Sequence, residues 1–141
     1  MNREIKFRGK NIKGEWNFGL LCCDKTKDSD YEYFISNSNG KPYAFGAVEI
    51  TIGQFTGLKD DEDNEIYEGD ILEYKNEFGK HKIHKIFYKA GGLCFNVHSD
   101  DIKKDPEDIY FYEACADMQS KAWISQCKII GNIHENPELL C

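Results

Sequence analysis

The sequence predicts a mainly β protein with one or two short helices, and three observations lead to this prediction. Aromatic residues make up 13% of the chain and are mostly Tyr and Phe, which favour strands. Short stretches alternate apolar with polar residues, as half-buried strands do. Turn-forming residues separate these stretches at intervals of roughly 8–12 residues, a spacing typical of antiparallel strands in a barrel or in two packed sheets.

Two stretches near the N-terminus predict a β-hairpin. Residues 4–10 alternate the apolar Ile5 and Phe7 with charged side chains, so we expect Arg8 on the hydrated face of a strand. Gly14 lies in the polar segment that follows. Residues 16–22 then form the returning strand of the predicted hairpin.

Further strands are predicted along the rest of the chain. Residues 31–36 alternate in the same way, and residues 43–55 are apolar with internal glycines, which predicts extended structure interrupted by bends. Residues 70–98 predict a meander of three antiparallel strands. Residues 127–133 predict a last strand, followed by a single helical turn at 136–140.

The segment 105–119 is expected to be a helix. Asp105 is a suitable N-cap, Pro106 suits the first turn, and two acidic residues follow. Ile109 and Tyr112 recur at helical spacing, although the run Ile-Tyr-Phe-Tyr suits a strand equally well.

Length and composition indicate one domain covering residues 1–141. A chain of this size buries roughly 70% of its unfolded surface, so it needs no metal or disulfide to fold. The sequence contains no secretory signal and no apolar run long enough to span a bilayer. We therefore expect a cytoplasmic protein whose six cysteines are reduced.

Charge is divided into blocks within a net charge of −7. Residues 1–24 carry a net +2, and residues 59–77 hold nine Asp or Glu against two Lys. Residues 78–104 carry a net +4 and residues 105–121 a net −4. An acidic protein is a poor candidate for general binding of duplex DNA, because most of the affinity for DNA comes from basic side chains that neutralise its phosphates. Alternating blocks suit internal pairing or self-association better.

The acidic stretch at residues 59–77 invites comparison with a calcium loop. An EF-hand needs glycine at position 6 and a bidentate Glu at position 12. A loop that begins at Asp61 places Ile66 and Leu72 there, and a loop that begins at Asp60 fails in the same way. We interpret the stretch as a hydrated turn between two extended segments, with weak, nonspecific cation association left open.

The histidines and cysteines do not form a ligand set. His81 and His84 are three residues apart, so a strand places them on opposite faces. Cys94 and His98 share a strand face, but no further ligands complete a zinc site. No metal ligands are therefore assigned.

Catalytic motifs are also missing from the sequence. The adjacent pair Cys22 and Cys23 lacks the Cys-x-x-Cys spacing of redox centres, so we interpret both as strand cysteines. No pair of carboxylates lies in an apolar setting suited to acid–base catalysis. We assign no catalytic residue and no cofactor, and we expect that the protein is not an enzyme.

One group of residues has the composition of a surface for single-stranded nucleic acid, which combines aromatic rings with positive charge. These residues are Trp16, Phe18, Tyr31, Tyr33, Lys6 and Arg8. The alternative, which we favour, is a β core with tyrosine hydroxyls at its rim.

Three segments make the sequence similar to a known family. They are REIKFRGK at 3–10, IGQFTGLKDDEDNEIYEGDILEY at 52–74 and IIGNIHENPELL at 129–140, of which the central one is the most specific. The chain resembles the YopX-like family of small proteins encoded by bacteriophages and prophages. It departs from the family pattern at Gly9 and at residues 61–65, where relatives often have a glycine after Asn.

The resemblance implies coiled antiparallel sheets that include a small barrel like that of src-homology-3 domains. It also implies a phage or prophage origin and is in keeping with oligomer formation, but it supplies no catalytic residues. We expect an accessory protein that binds a host or phage protein or itself, as a homo-oligomer, and no membrane. The alternatives are nucleic-acid binding through the basic segments, and an acidic surface that mimics DNA and inhibits a host factor.

Overall fold

The computed structural model describes residues 4–24, 30–37, 44–75, 77–78, 81–89, 92–99, 107–110 and 124–140, a few strand residues by their backbone alone. The described strands are β1 (Phe7–Lys10), β2 (Trp16–Cys23), β3 (Tyr33–Asn37), β4 (Ala44–Ala47), β5 (Gly53–Lys59), β6 (Glu65–Tyr67), β7 (Asp70–Lys75), β8 (His81–Lys89), β9 (Gly92–Ser99), β10 (Glu107–Tyr110) and β11 (Lys128–Asn132). The described helical elements are short 3-10 turns at Glu49–Thr51 and Pro137–Leu140.

The strands form two sheets, which confirms the mainly β prediction. One sheet has the order β4-β3-β2-β1-β5-β6 and the other has the order β10-β9-β8-β7-β11. Every strand pair whose register is resolved is antiparallel. Neither sheet closes into a barrel among the residues that the structure describes, so the expected small barrel is not confirmed.

The chain divides into two compact units, Met1–Gly57 and Leu58–Cys141, with the boundary inside β5. We refer to them as the first unit and the second unit. The expectation of one domain over residues 1–141 stays a prediction.

The first unit begins with the predicted hairpin. β1 pairs with β2 so that Phe7 lies opposite Gly19 and Lys10 opposite Trp16. In the turn, Gly14 adopts a left-handed φ of 81°, which glycine tolerates best. The Asn11 Oδ1 accepts hydrogen bonds from the backbone N–H groups of Lys13 and Glu15, at 2.9 Å each, and so fixes the turn.

The core of the first unit lies on one face of its sheet. Ile35 and Ala47 are buried there, and Gly9 lies against both. A Cβ atom at Gly9 would be 2.9 Å from the Ala47 Cβ, so the close approach of these strands leaves no room for a side chain. This contact gives a physical reason for a glycine at position 9.

The predicted bend within residues 43–55 is the 3-10 turn at Glu49–Thr51. The Thr51 hydroxyl donates a hydrogen bond to the Val48 carbonyl at 2.6 Å and accepts one from the Lys10 N–H at 2.9 Å. This side chain therefore links the turn to β1.

The second unit contains the predicted meander, formed by β7, β8 and β9. Its core is a cluster of buried residues from several strands and from the segment before β11. The members are Ile66, Leu72, Ile86, Ile124 and Cys127.

The prediction of a helix at residues 105–119 is wrong where the structure describes this segment. Glu107–Tyr110 is the strand β10, which pairs with β9 so that Ile109 lies opposite Phe95. The backbone N–H and C=O groups of β9 pair with those of this segment. This pairing outweighs the weak helical pattern, and Ile109 and Tyr110 are residue types that suit a strand. Residues 111–119 lie outside the described residues.

Candidate functional site

The first unit has a sheet face that exposes large apolar side chains. In β2, Phe18 is 44% and Leu20 is 54% exposed, and the Cys22 side chain on the same face is exposed as well. β2 is an interior strand between β1 and β3, so both of its edges are paired and the exposure is on the face of the sheet. We call the side chains of Trp16, Phe18 and Leu20, with the neighbouring Arg8 and Lys10, the β2 face.

The strand register brings two cations to the β2 face. Arg8 lies opposite Phe18, and Lys10 lies opposite Trp16, so their side chains share one side of the sheet. The Arg8 Cζ is 4.5 Å from the centre of the Trp16 ring, and the Lys10 Nζ is 5.1 Å from it. Both distances are within the range of cation–π attraction.

The placement of Arg8 corrects the sequence-based expectation for β1. Alternation assigned Arg8 to the hydrated face, but its side chain is buried, whereas Ile5 is 59% exposed. A guanidinium is flat and weakly hydrated and stacks on an indole, so it can be covered where a lysine ammonium would resist burial. Treating arginine as a polar residue therefore led to the wrong prediction of which side chains of β1 are exposed.

The structure brings together only part of the predicted aromatic and basic group. Trp16, Phe18 and Arg8 share the β2 face, whereas Tyr33 pairs with Ala47 and Cys23 on the opposite side of the sheet. The pKa of Tyr33 is raised by the nearby charges of Glu32 and then Glu49.

Tyr31 has a packing role at the edge of the same unit. Its ring packs against Gly46 and meets the Phe34 ring edge-on, with ring centres 6.2 Å apart. Sequence spacing alone did not identify Lys10, which contributes more clearly to the β2 face than Tyr31 does.

The acidic turn of the second unit, residues 60–64, connects β5 to β6. Asp60 is only 5% exposed, and its carboxylate accepts hydrogen bonds from the N–H groups of Glu62 and Asn64 at 3.0 and 2.8 Å. It also accepts one from the Ile129 N–H in β11 at 3.2 Å. Burial acts to raise the pKa of Asp60, but the hydrogen bonds from the turn and from Ile129 outweigh it and lower the pKa.

The other acids of this turn have different roles. Asp63 adopts a left-handed φ of 66°, a conformation that aspartate tolerates better than most other residues, so the chain turns here without a glycine. The Asp63 carboxylate lies 3.6 Å from the Lys59 Nζ, and the Glu62 carboxylate lies 3.1 Å from the Lys128 Nζ. The hydrated-turn interpretation therefore fits these exposed acids but is wrong for Asp60.

A second tight turn joins β6 to β7 at Glu68-Gly69. Asp70 is 2% exposed and its carboxylate accepts a hydrogen bond from the Tyr67 N–H at 2.7 Å. Gly69, with a left-handed φ of 92°, donates its N–H to the Ile86 carbonyl and accepts from the Ile133 N–H, at 2.8 Å each. Only glycine adopts this φ without strain, so the residue is needed at the point where three segments meet.

Hydrogen bonds join the C-terminal segment to the two turns within residues 52–74. The Asp61 N–H donates to the Cys127 carbonyl at 2.9 Å, next to the bond between Asp60 and Ile129. Beyond β11, the Asn132 Oδ1 accepts hydrogen bonds from the N–H groups of His134 and Glu135 at 3.0 Å each. Two of the three segments that carry the family resemblance thus form one structural junction.

Of the histidines and cysteines considered as metal ligands, the structure describes the side chain of His84. His84 is buried in β8, and the His81, Cys94 and His98 side chains are outside the described part of the structure. No group of three or more His, Cys, Asp or Glu among the described residues is arranged to hold a metal ion.

Among the described cysteines, only Cys127 is buried. Cys22 and Cys23 are exposed and, like Cys127, form no disulfide. Burial and then the charge of Asp61 raise the pKa of Cys127 to about 12, which keeps this thiol protonated at neutral pH.

These features define a small protein of antiparallel β-sheets in which residues of the segments 52–74 and 129–140 hold two turns together. In a comparison with known families, the model of the YopX protein family matches residues 6–141. The chain therefore belongs to the YopX family.

A solved structure has a related fold. The chain is similar to protein EF1440 from Enterococcus faecalis, known from a crystal structure, at 26% sequence identity and a TM-score of 0.52. The alignment covers 99% of this chain and 100% of the other. No curated protein is a significant match to the chain. No helix in the described part of the structure is long and apolar enough to cross a membrane.

Proposed function

We propose that the protein is a noncatalytic accessory protein of a phage or prophage that acts in the host cytoplasm by binding protein, including a second copy of itself. The observation that supports this proposal best is the exposure of Phe18 and Leu20 on an interior strand. Adjacent exposed apolar side chains on a sheet face commonly mark an interaction surface. A small barrel, as expected from the family resemblance, would serve as a scaffold for such a surface.

The composition of the β2 face suits a protein partner. Trp and Arg are enriched among residues that contribute most to protein–protein affinity, and the Arg8–Trp16 stack lies beside Phe18. Because the stack is already formed, little side-chain entropy remains to be lost when a partner covers it.

Charge favours a second copy of the chain as the partner. Met1–Gly57 contains eight Lys or Arg and seven Asp or Glu, a net of +1, whereas Leu58–Cys141 contains ten and eighteen, a net of −8. The β2 face presents the cation of Lys10, so an acidic segment of another copy is complementary to it. Self-association through this face should therefore combine apolar burial with a salt-sensitive attraction.

Size-exclusion chromatography with light scattering at about 50 mM and about 500 mM NaCl tests this proposal. We expect an oligomer at low salt that persists in part at high salt, and a monomer for Leu20→Asp. Ile12→Asp is the matched control, because Ile12 is 81% exposed in the hairpin turn, away from the β2 face. A wild-type protein that is strictly monomeric under both conditions, or an Ile12→Asp variant that dissociates equally, would contradict the proposal.

Nucleic-acid binding is a second candidate because the partly exposed Lys10 lies over the Trp16 ring on the β2 face. Bases of single strands stack on such rings while cations contact the phosphates. Binding to oligo(dT), to RNA and to duplex DNA should be measured across a salt titration with Lys10→Gln and, as control, Lys13→Gln in the exposed turn. No binding at low salt excludes this candidate.

The structure gives less support to a DNA-mimicking acidic surface. Of the nine acidic residues at 59–77, Asp60 and Asp70 are buried and hold turns. Glu62 and Asp63 each lie beside a lysine.

A further inference from the structure

The second unit contains an open groove of ≈ 570 Å³ next to the acidic turn. Its lining comes from Asp61, from β7 and the residues that follow it, and from residues 125–126. The volume falls within the range of roughly 300–1,000 Å³ that is typical of ligand sites. The groove lies wholly within the second unit.

Two aromatic rings line the groove. Tyr74 is partly buried and packs against the core cluster of the second unit, so its position is fixed. Phe78 is 91% exposed, which is the largest exposure among the big apolar side chains that the structure describes. The lining of the groove therefore contains one aromatic ring that packs on the core and one that is largely exposed to solvent.

The charged groups of the groove are predominantly acidic. Asp61 and Glu77 are exposed carboxylates in the lining. Lys75 is the basic residue of the lining, and its Nζ lies 3.0 Å from the Glu73 Oε1. The unit around the groove carries a net −8, which attracts cations towards it.

The acidic turn holds its side of the groove in place without a ligand. The Asp61 N–H donates to the Cys127 carbonyl at 2.9 Å, and the neighbouring Asp60 carboxylate binds the Ile129 N–H at 3.2 Å. These bonds fix the acidic turn to the segment that includes residues 125–126. A preformed site loses less entropy on binding than one that has to be ordered.

We propose that this groove binds the cationic side chain of an arginine or lysine in a basic peptide segment of a partner protein. An aromatic face attracts a cation through its quadrupole, and a carboxylate beside it adds a charge-assisted hydrogen bond. Tyr74 and Phe78 supply the rings, and Asp61 and Glu77 supply the carboxylates. The proposal does not depend on self-association through the β2 face.

The test measures binding of the full-length protein to a fluorescently labelled arginine–glycine peptide by fluorescence anisotropy. The same peptide with citrulline in place of arginine keeps the shape but removes the charge. We expect the arginine peptide to bind and the citrulline peptide to bind at least about tenfold more weakly. Phe78→Ala should weaken binding about fivefold, since cation–π contacts contribute roughly this much.

The charge variants separate the groove from the net charge of the unit. Asp61→Asn and Glu77→Gln should each weaken binding several-fold, and Asp61→Asn keeps the backbone bond to Cys127. Glu138→Gln is the matched control, because this exposed acid lies in the 3-10 turn Pro137–Leu140 and does not line the groove. All four variants change exposed side chains, and circular dichroism would verify that they fold.

Three results would overturn the proposal. The arginine peptide fails to bind at about 50 mM NaCl, where exposed charges are weakly screened. The citrulline peptide binds as tightly as the arginine peptide. Glu138→Gln weakens binding as much as Glu77→Gln, which would show that the peptide follows the net charge and not the groove.

Discussion

In the first unit the interior strand β2 exposes Phe18 and Leu20, whereas in the second unit the carboxylates of Asp60 and Asp70 are buried. The buried carboxylates each accept backbone N–H groups that a turn leaves unpaired, so their burial stabilises the chain path. Phe18 and Leu20 lie on a strand that is paired on both edges, and they keep part of their apolar surface accessible. The two regions therefore differ in that one buries polar groups which hold turns, whereas the other leaves apolar surface accessible to a partner.

The largest expected change in the free energy of unfolding follows from replacing Leu72, and Leu20 provides the contrast. Leu72 is 1% exposed in the core cluster of the second unit, so Leu72→Ala should lower the free energy of unfolding by about 2–5 kcal/mol. Leu20 is 54% exposed, so Leu20→Ala should change it by less than about 0.5 kcal/mol. Urea denaturation of dilute protein followed by circular dichroism measures both. Equal losses would show that the β2 face is part of a folded core in solution.

A smaller change in the free energy of unfolding should distinguish two adjacent aspartates of the acidic turn, Asp60 and Asp61. Asp60→Ala removes a buried acceptor for three backbone N–H groups, so the free energy of unfolding should fall by about 1–3 kcal/mol. Asp61→Ala keeps the backbone bond to Cys127 and removes an exposed side chain, so the change should be within about 0.5 kcal/mol. Similar losses at both positions would mean that the net charge of the turn matters more than the hydrogen bonds of Asp60.

The sequence predicted the strands well where the pattern was local. The hairpin at β1 and β2, the meander at β7 to β9, and β11 all follow from alternation bounded by turn residues. The family resemblance was confirmed over residues 6–141. The helix predicted at 105–119 was wrong at β10, because the pairing that decides the conformation of Glu107–Tyr110 comes from β9.

The candidate sites were less predictable, because they depend on contacts between distant residues. Nothing local to Asp60 shows that Ile129, 69 residues away, donates a hydrogen bond to its carboxylate. The burial of Arg8 depends on a Trp16 ring supplied by the next strand. A signal was present for Asp60, since an aspartate at the start of a turn often accepts backbone N–H groups two to four residues later.

The pH dependence of stability distinguishes Asp60 from the exposed acids. Its pKa is lower in the folded protein than the value of about 3.9 for an unfolded chain. Its contribution to stability is therefore complete above that unfolded value and is lost as the pH falls towards and through the folded pKa. Between about pH 5 and about pH 2, the wild type should lose more stability than Asp60→Asn, as measured by urea midpoints. Parallel profiles for the two proteins would contradict this assignment.

The smallest expected effect belongs to the ion pair of Glu62 and Lys128, which joins the same two segments as Asp60 but at the surface. The carboxylate and the ammonium are 3.1 Å apart, and both side chains are more than half exposed. The pKa of Lys128 is raised by the hydrogen bond and the charge of Glu62.

Water and salt screen such pairs, so Glu62→Gln and Lys128→Gln should each shift the urea midpoint less than Asp60→Ala does. The shift should disappear at about 500 mM NaCl, whereas the Asp60→Ala effect should persist because its hydrogen bonds are buried. If the Glu62→Gln shift were as large as that of Asp60→Ala and independent of salt, the junction would be held by surface charge and not by the buried carboxylate.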